Sequence, residues 1–252
     1  ASNAKLGKGD YLVAEADESD QSFLMLQPSV SIITNIEEDH LINYGNDFEN
    51  LRKAFLSFVK KLPFDGLLIA CGDDPEVQKL LLQCSRPNVT YGFDETNDYV
   101  ISNYEPSEFR SHFLLTYSGQ SIQIDLNMLG RHNALNASAA CVLAIEEGID
   151  TSIIQVALKN FMGISRRMQV VGNMNIKNSN LILIDDYGHH PSEIKNTIDS
   201  IRESHPKKKL TMVFQPHRYS RTKDLFEEFV EVLQLVDQLI LLDVYPAGED
   251  SN

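Results

Sequence analysis

Residues 181–193 read LILIDDYGHHPSE: four apolar residues, then Asp185 and Asp186, then Tyr187, Gly188, His189 and His190 ahead of Pro191. A short apolar run that breaks off into polar residues and a first-turn proline marks the junction of a buried parallel strand with a helix. Downstream the pattern repeats, with helix 192–203, strand 210–214, helix 222–236 and strand 238–244. This order predicts a Rossmann-like βαβαβ unit built on a parallel sheet.

Upstream, Tyr11–Ala14 and Val30–Ile33 are apolar runs of the same kind and are expected to be buried strands. Between Asp47 and Leu62, the residues Phe48, Leu51, Phe55, Phe58, Val59 and Leu62 recur at helical spacing before Pro63 stops the pattern. Leu67–Ala70 follows as a strand, and Asp73-Asp74-Pro75 supplies a cap and a first-turn proline for a helix through Gln83. From Asn88 to Leu126 the segments become short and β-like, with Ser118-Gly119 as a turn between antiparallel strands. Helices are expected at about 132–147 and 151–161, and Met162–Asn180 shows little periodicity. A domain boundary near Met168 divides the α/β chain into domains 1–168 and 169–252.

The 252 residues carry 22 Lys and Arg against 36 Asp and Glu, a formal net charge of −14. That balance lacks the basic footprint of a nucleic-acid binder or a protein of anionic membrane surfaces. The longest apolar runs, such as Leu239–Leu242, fall far below the ~20 residues of a membrane span. Cys71, Cys84 and Cys141 are widely spaced and form no C-x-x-C pair, so neither a disulfide framework nor a zinc site is indicated, and a reducing cytoplasm is expected. No apolar stretch of signal-peptide type follows Lys5.

In open α/β sheets, ligands collect at the carboxyl ends of strands, where helix N-termini point outward. Glu15, Asp17, Glu18 and Asp20 crowd one such end, and Glu37, Glu38, Asp39 and His40 another. Either group could be a solvated loop, or the two could share a divalent cation, since Mg²⁺ needs only one or two carboxylates beside water and phosphate. Asn133 and Asn136 stand at i,i+3 in Gly130–Ala137. Carboxamides there either match the donor and acceptor edge of adenine or serve the helix itself. Arg166-Arg167 could hold a phosphate or a surface carboxylate. Arg218 and Arg221 enter a helix at i,i+3, as an anion clamp or as ion pairs with Asp224, Glu227 or Glu228.

Taken together, E-A-D-E-S-D at 15–20, T-N-I-E-E-D-H at 34–40, G-R-H-N-A-L-N-A at 130–137, D-D-Y-G-H-H-P at 185–191, Q-P-H-R-Y-S-R-T at 215–222 and V-Y-P-A-G-E at 244–249 resemble the Mur ligase family, in order and along essentially the whole chain. Ser19 and the T-N-I-E-E-D-H run resemble its alanine-adding members. The resemblance implies ATP and Mg²⁺ as cofactors, with Glu15 and His40 at the metal positions. It places Asn133 and Asn136 at adenine, Arg167 at a phosphate and Asp186 at the ribose. Tyr187 lies beside the nucleotide, and with His189 it lines the active site. Arg218 and Arg221 fall where the carboxylate of the added amino acid is held.

The implied reaction is ATP-dependent ligation of L-alanine to UDP-N-acetylmuramate through an acyl phosphate, in peptidoglycan precursor synthesis. The implied partners are these small molecules. Rival readings are a peptide-adding recycling ligase of the same family and a nucleotide-binding fragment without catalysis. Family members carry, ahead of the Glu15 motif, a uridine-nucleotide-binding domain and a glycine-rich loop with a catalytic lysine. Gly7-Lys8 is followed by Gly9, so the G-x-x-x-x-G-K-[ST] pattern fails. The sequence thus resembles an internal fragment, cut at both ends, and is expected to be inactive alone.

Overall fold

The computed structural model of the protein describes residue 4 and residues 6–39, 41–176 and 179–250. It divides into two compact units, Ala1–Val89 and Thr90–Asn252.

In the first unit, β1 (Val30–Ile33) and β2 (Leu67–Cys71) pair in parallel, Val30 opposite Leu67. Helix α1 (Phe48–Val59) starts where the Asp47 carboxylate accepts the Glu49 N–H at 2.9 Å, satisfying an otherwise orphaned donor. Its apolar stripe buries Leu51, Phe58 and Val59, with Phe23 set between Phe55 and Phe58 at 5.4 and 5.1 Å. Asp74 caps α2 (Pro75–Leu81) by accepting from Glu76 and Val77. These elements arise as the sequence foretells.

Arg52 of α1 joins Glu76 of α2 at 2.6 Å, and Lys79 reaches the other carboxylate oxygen at 2.8 Å. The Arg52 guanidinium first, then the Lys79 ammonium, hold the Glu76 carboxyl down at about 2. A depressed carboxyl stabilises the fold above its unfolded value near ~4.3, and that contribution fades as pH falls through the folded value. Thermal melts of Glu76→Gln should therefore lie below those of the parent at pH 6 and converge with them near pH 2. A gap unchanged across that range would deny the pair its electrostatic role.

Tyr11–Ala14 is not a strand. Leu12 and Val13 are 93% and 85% exposed, and β1 takes its parallel partner from β2. An apolar run becomes a strand only through a hydrogen-bonded ladder and a covering layer, and the described residues give this segment neither.

The second unit continues from β3 (Asn88–Gly92), whose Tyr91 pairs in parallel with Tyr99 of β4 (Tyr99–Ser107). β5 (Arg110–Tyr117) and β6 (Gln120–Leu126) extend this sheet antiparallel. Ser118 and Gly119 turn between them at φ 46° and 74°, the left-handed pair of a two-residue hairpin. Helices α3 (Arg131–Glu146) and α4 (Thr151–Asn160) follow.

The stretch that shows no periodicity holds a strand, β7 (Gln169–Ile176), hairpinned to β8 (Ser179–Asp185). Its register shifts between Val170 and Gly172, and the bulge erases the alternation by which strands are recognised. Then come α5 (Pro191–Ser204), β9 (Thr211–Phe214), α6 (Tyr219–Asp224), α7 (Phe226–Leu233) and β10 (Gln238–Leu241).

The βαβαβ order of an α/β fold is present, but its ladders differ from the expectation. β9 and β10 pair in parallel, whereas β8 pairs antiparallel with β7. The expected helix 222–236 is two helices, because Leu225 leaves helical dihedrals at φ −110°, ψ 29° and packs on the core of Ile194, Ile198, Phe214, Phe229 and Val232.

Candidate functional site

In the first unit the backbone of the acidic loop is tied to residues 43 and 44, where Asn43 donates to the Ser19 carbonyl at 2.6 Å and Tyr44 to the Glu18 carbonyl at 2.5 Å. Asp17 accepts the Ser19 N–H and Asp20 the Ser22 N–H, both at 2.8 Å, so two of the four carboxylates shape turns. Glu15 is exposed, and His40 lies outside the described residues. Among the described residues no three His, Cys, Asp or Glu side chains converge as metal ligands. A carboxylate that faces water still suits a Mg²⁺ that keeps most of its hydration shell.

The remaining candidates belong to the second unit. α3 opens on Gly130 at φ 96°, whose N–H donates to the Tyr104 hydroxyl at 3.0 Å. Arg131 stacks over the Phe93 ring at 3.6 Å and fixes the first turn. Asn133 is buried, and its Nδ2 donates to the Leu129 carbonyl at 2.7 Å and lies 3.0 Å from His132 Nε2. Asn136, one turn on, is exposed. Burial pushes the His132 imidazole below its ordinary value, with Asp186, Arg167 and Glu193 close enough to act on it electrostatically.

The segment after α4 is stitched to the β8–α5 junction. Arg166 and Met168 hold left-handed backbone at φ 60° and 47°. The Tyr187 N–H donates to the Arg166 carbonyl at 2.7 Å, and Asp186 accepts from Met168 N–H and Gly188 N–H, each at 2.8 Å. The Arg166 guanidinium lies 4.7 Å over the Tyr187 ring and 3.5 Å from Asp185. Arg167 reaches Glu193 at 2.9 Å through one Nη, and with its side chain 44% exposed it keeps further donors for an anion.

At the ends of β9 and the last strand, His217 bridges to Tyr245, with the two rings 4.6 Å apart. The Tyr187 ring lies 5.4 Å from His189 and 6.4 Å from His217. His217 is held below its ordinary value by burial first and then by the charges of His189, Arg221, Arg218 and Arg166. Arg218 takes φ 72° and donates its N–H to the Tyr245 carbonyl at 2.8 Å. The structure thus gathers Arg167, Asp186, Tyr187, His189, Arg218 and Arg221 with their neighbours in one unit. Arginines and aromatic rings converging in so acidic a chain suit a planar, multiply charged anion.

Three members of this cluster escape a reading of the sequence. Glu193 is the third residue of α5 and closes a capping box with His190, but a histidine cap falls outside the Ser, Thr, Asp and Asn signature. His132 and His217 sit inside quoted motifs, yet nothing in spacing tells which residue of a motif turns inward.

Among the described residues, no helix is long and apolar enough to cross a membrane. Residues 2–144 match the family described as Mur ligase middle domain, and residues 166–252 match the family described as Mur ligase, glutamate ligase domain. Among solved structures, the chain is similar to UDP-N-acetylmuramate-alanine ligase MurC from Thermotoga maritima, at 30% identity and TM-score 0.75, over 93% of this chain and 50% of that one. It shares its fold with MurF ligase from the same organism in complex with ADP (19% identity, TM-score 0.70, 85% of this chain and 48% of that one). The same holds for a murein peptide ligase from Psychrobacter arcticus 273-4 (22% identity, TM-score 0.59, 86% and 44%). The chain spans about half the length of these solved relatives. On both matched domains, and on the solved relative with which it shares 30% of its residues, the chain belongs to the Mur ligase family.

Proposed function

We propose that this chain supplies the nucleotide and amino-acid sites of an ATP-dependent carbon–nitrogen ligase that joins L-alanine to UDP-N-acetylmuramate for peptidoglycan synthesis in the cytoplasm. The observation that carries the reading is the cationic and aromatic cluster of the second unit, built around Arg167, Asp186, His189, Arg218 and Arg221 in a chain of net charge −14. In this reading the domains are 1–168 and 169–252.

The lactyl carboxylate attacks the γ-phosphorus, the bond to ADP breaks, and the acyl phosphate forms. The deprotonated alanine nitrogen then attacks the acyl carbon, the acyl C–O bond breaks, and phosphate leaves with the oxygen and the proton lost from the nitrogen. Asn133 and Asn136 hold the adenine, Asp186 and Tyr187 the ribose side, and Arg167 a phosphate. Tyr187 and His189 form the wall beneath the amino acid, and Arg218 and Arg221 hold its carboxylate. Glu15 and His40 are the residues that would hold Mg²⁺, which when bound would supply charge neutralisation for the phosphoryl group in transfer. Positioning supplies most of the rate, because no side-chain nucleophile is required.

Phosphate release by an active ligase carrying this sequence should require ATP, UDP-N-acetylmuramate and L-alanine together. Release that ignores alanine and needs L-alanyl-γ-D-glutamyl-meso-diaminopimelate instead would reassign the enzyme to peptide recycling, to which the likeness with the murein peptide ligase gives a structural basis. Release with neither acceptor would remove the ligase reading.

A further inference from the structure

The Glu193 carboxylate does more than cap a helix. Its Oε2 accepts the His189 N–H at 2.9 Å and the His190 N–H at 3.2 Å, which completes the capping box of α5. Its Oε1 accepts from Arg167 at 2.9 Å, a contact the helix does not need. Burial would raise this carboxyl, but the His189 N–H and the Arg167 guanidinium outweigh it and hold the group ionised below the ordinary glutamate value.

The same side chain bears on the His189 ring. His189 Nδ1 lies 3.1 Å from the Tyr187 carbonyl and 3.6 Å from Glu193 Oε2. Carbonyl and carboxylate oxygens only accept, so Nδ1 carries the proton and Nε2 keeps its lone pair. The Tyr187 ring, edge-on at 5.4 Å, sets the plane of the imidazole. Nε2 has no protein partner among the described residues. The cations Arg166, Arg218 and Arg221 act on His217, whereas the His189 ring has the Glu193 carboxylate oxygen beside it.

We propose that Glu193 is a positioning residue for amide formation: its charge, set beside the Tyr187 carbonyl to which Nδ1 bonds, favours the Nδ1–H tautomer of His189 with Nε2 presented as a proton acceptor, and its other oxygen holds Arg167 by one edge for its phosphate. This rests on the ligase reading. The α-ammonium of the incoming amino acid must lose a proton before its nitrogen can attack. Nε2 takes that proton as the N–H bond breaks, the freed lone pair forms the C–N bond, and the phosphate that departs as the acyl C–O bond breaks carries away the second N–H proton. The resulting imidazolium sits beside the Glu193 carboxylate and returns its proton to water.

The test needs no ligand. Long-range ¹H–¹⁵N spectra of the 252-residue chain, recorded where imidazoles are neutral and assigned with His189→Gln, should show His189 in the Nδ1–H form. Glu193→Gln keeps a carbonyl to cap the helix but removes the charge. In it the Nδ1–H share of His189 should fall, and exchange of the Arg167 guanidinium protons with water should quicken about tenfold as a charge-assisted bond is lost. An Nε2–H majority in the parent chain overturns the proposal. So does a Glu193→Gln variant in which neither observable moves, since Glu193 is then a helix cap and nothing more. Either failure leaves the ligase reading standing, whereas missing alanine-dependent phosphate release sinks that reading without touching this geometry.

Discussion

Gly130→Ala is expected to destabilise the chain by about 2–4 kcal/mol, adding a backbone conformation nearly closed to L side chains to an overpacked contact. Gly130 sits at φ 96°, ψ 140°, and a Cβ built on it would collide with Ser200 Oγ of α5 and with the His132 ring. Ser200 is buried, and its hydroxyl is already committed to the Asn196 carbonyl at 2.6 Å, so it has little room to yield. For a chain of this size the melting temperature should drop by about 5–15 °C. Gly130→Ala combined with Ser200→Ala, which removes the hydroxyl without weakening α5, should regain the Ser200 share of the steric loss and keep the His132 and backbone shares. A single variant that melts with the parent would mean that α3 and α5 do not approach so closely. The position matters beyond stability, because this contact places His132 and Asn133 on α3 against the helix that carries Glu193.

What was legible in the sequence follows from how local its cause is. α1, β2 and α2 were legible because their stripes, caps and stops lie within a few residues of one another: Asp47 ahead of α1, Asp74 and Pro75 at α2, Pro63 after Leu62. Tyr11–Ala14 misleads because its apolar pattern is present and its ladder is not. β7 hides because a bulge disorders its alternation and a two-stranded hairpin with Leu181, Leu183 and Met174 still nearly half exposed imposes no buried face.

The site divides in the same way. Asp186, His189, Arg218 and Arg221 can be picked out as polar residues at strand ends, and Arg167 as half of an arginine pair between the domains. Glu193 and His217 acquire their meaning only from what folding brings to them: Arg167 from 26 residues away, and the Tyr245 ring across a β-bridge. Side chains that act through a neighbour leave no spacing signature, which is why the proton-holding arrangement around His189 emerges from distances alone.

Arg218→Lys or Arg221→Lys, in an active ligase carrying this sequence, should raise the KM for alanine about 10–100-fold, the worth of a charge-assisted hydrogen bond at ~1.5–3 kcal/mol. An ammonium keeps the charge but cannot reproduce the planar fork that grips both carboxylate oxygens, so the loss should fall on the amino acid. The KM for ATP should stay within about twofold, because charge near the nucleotide is conserved. The rival role, an ion pair with Asp224, Glu227 or Glu228, has no such contact among the described residues. The Arg218 backbone is instead pinned to Tyr245 in left-handed geometry, and its charge, with that of Arg221, reaches His217. Lysine variants that fold normally and leave alanine kinetics unchanged would return both arginines to solvent. The amino-acid carboxylate would then have to be sought at Arg166, the remaining guanidinium whose charge reaches that histidine and which lies over the Tyr187 ring.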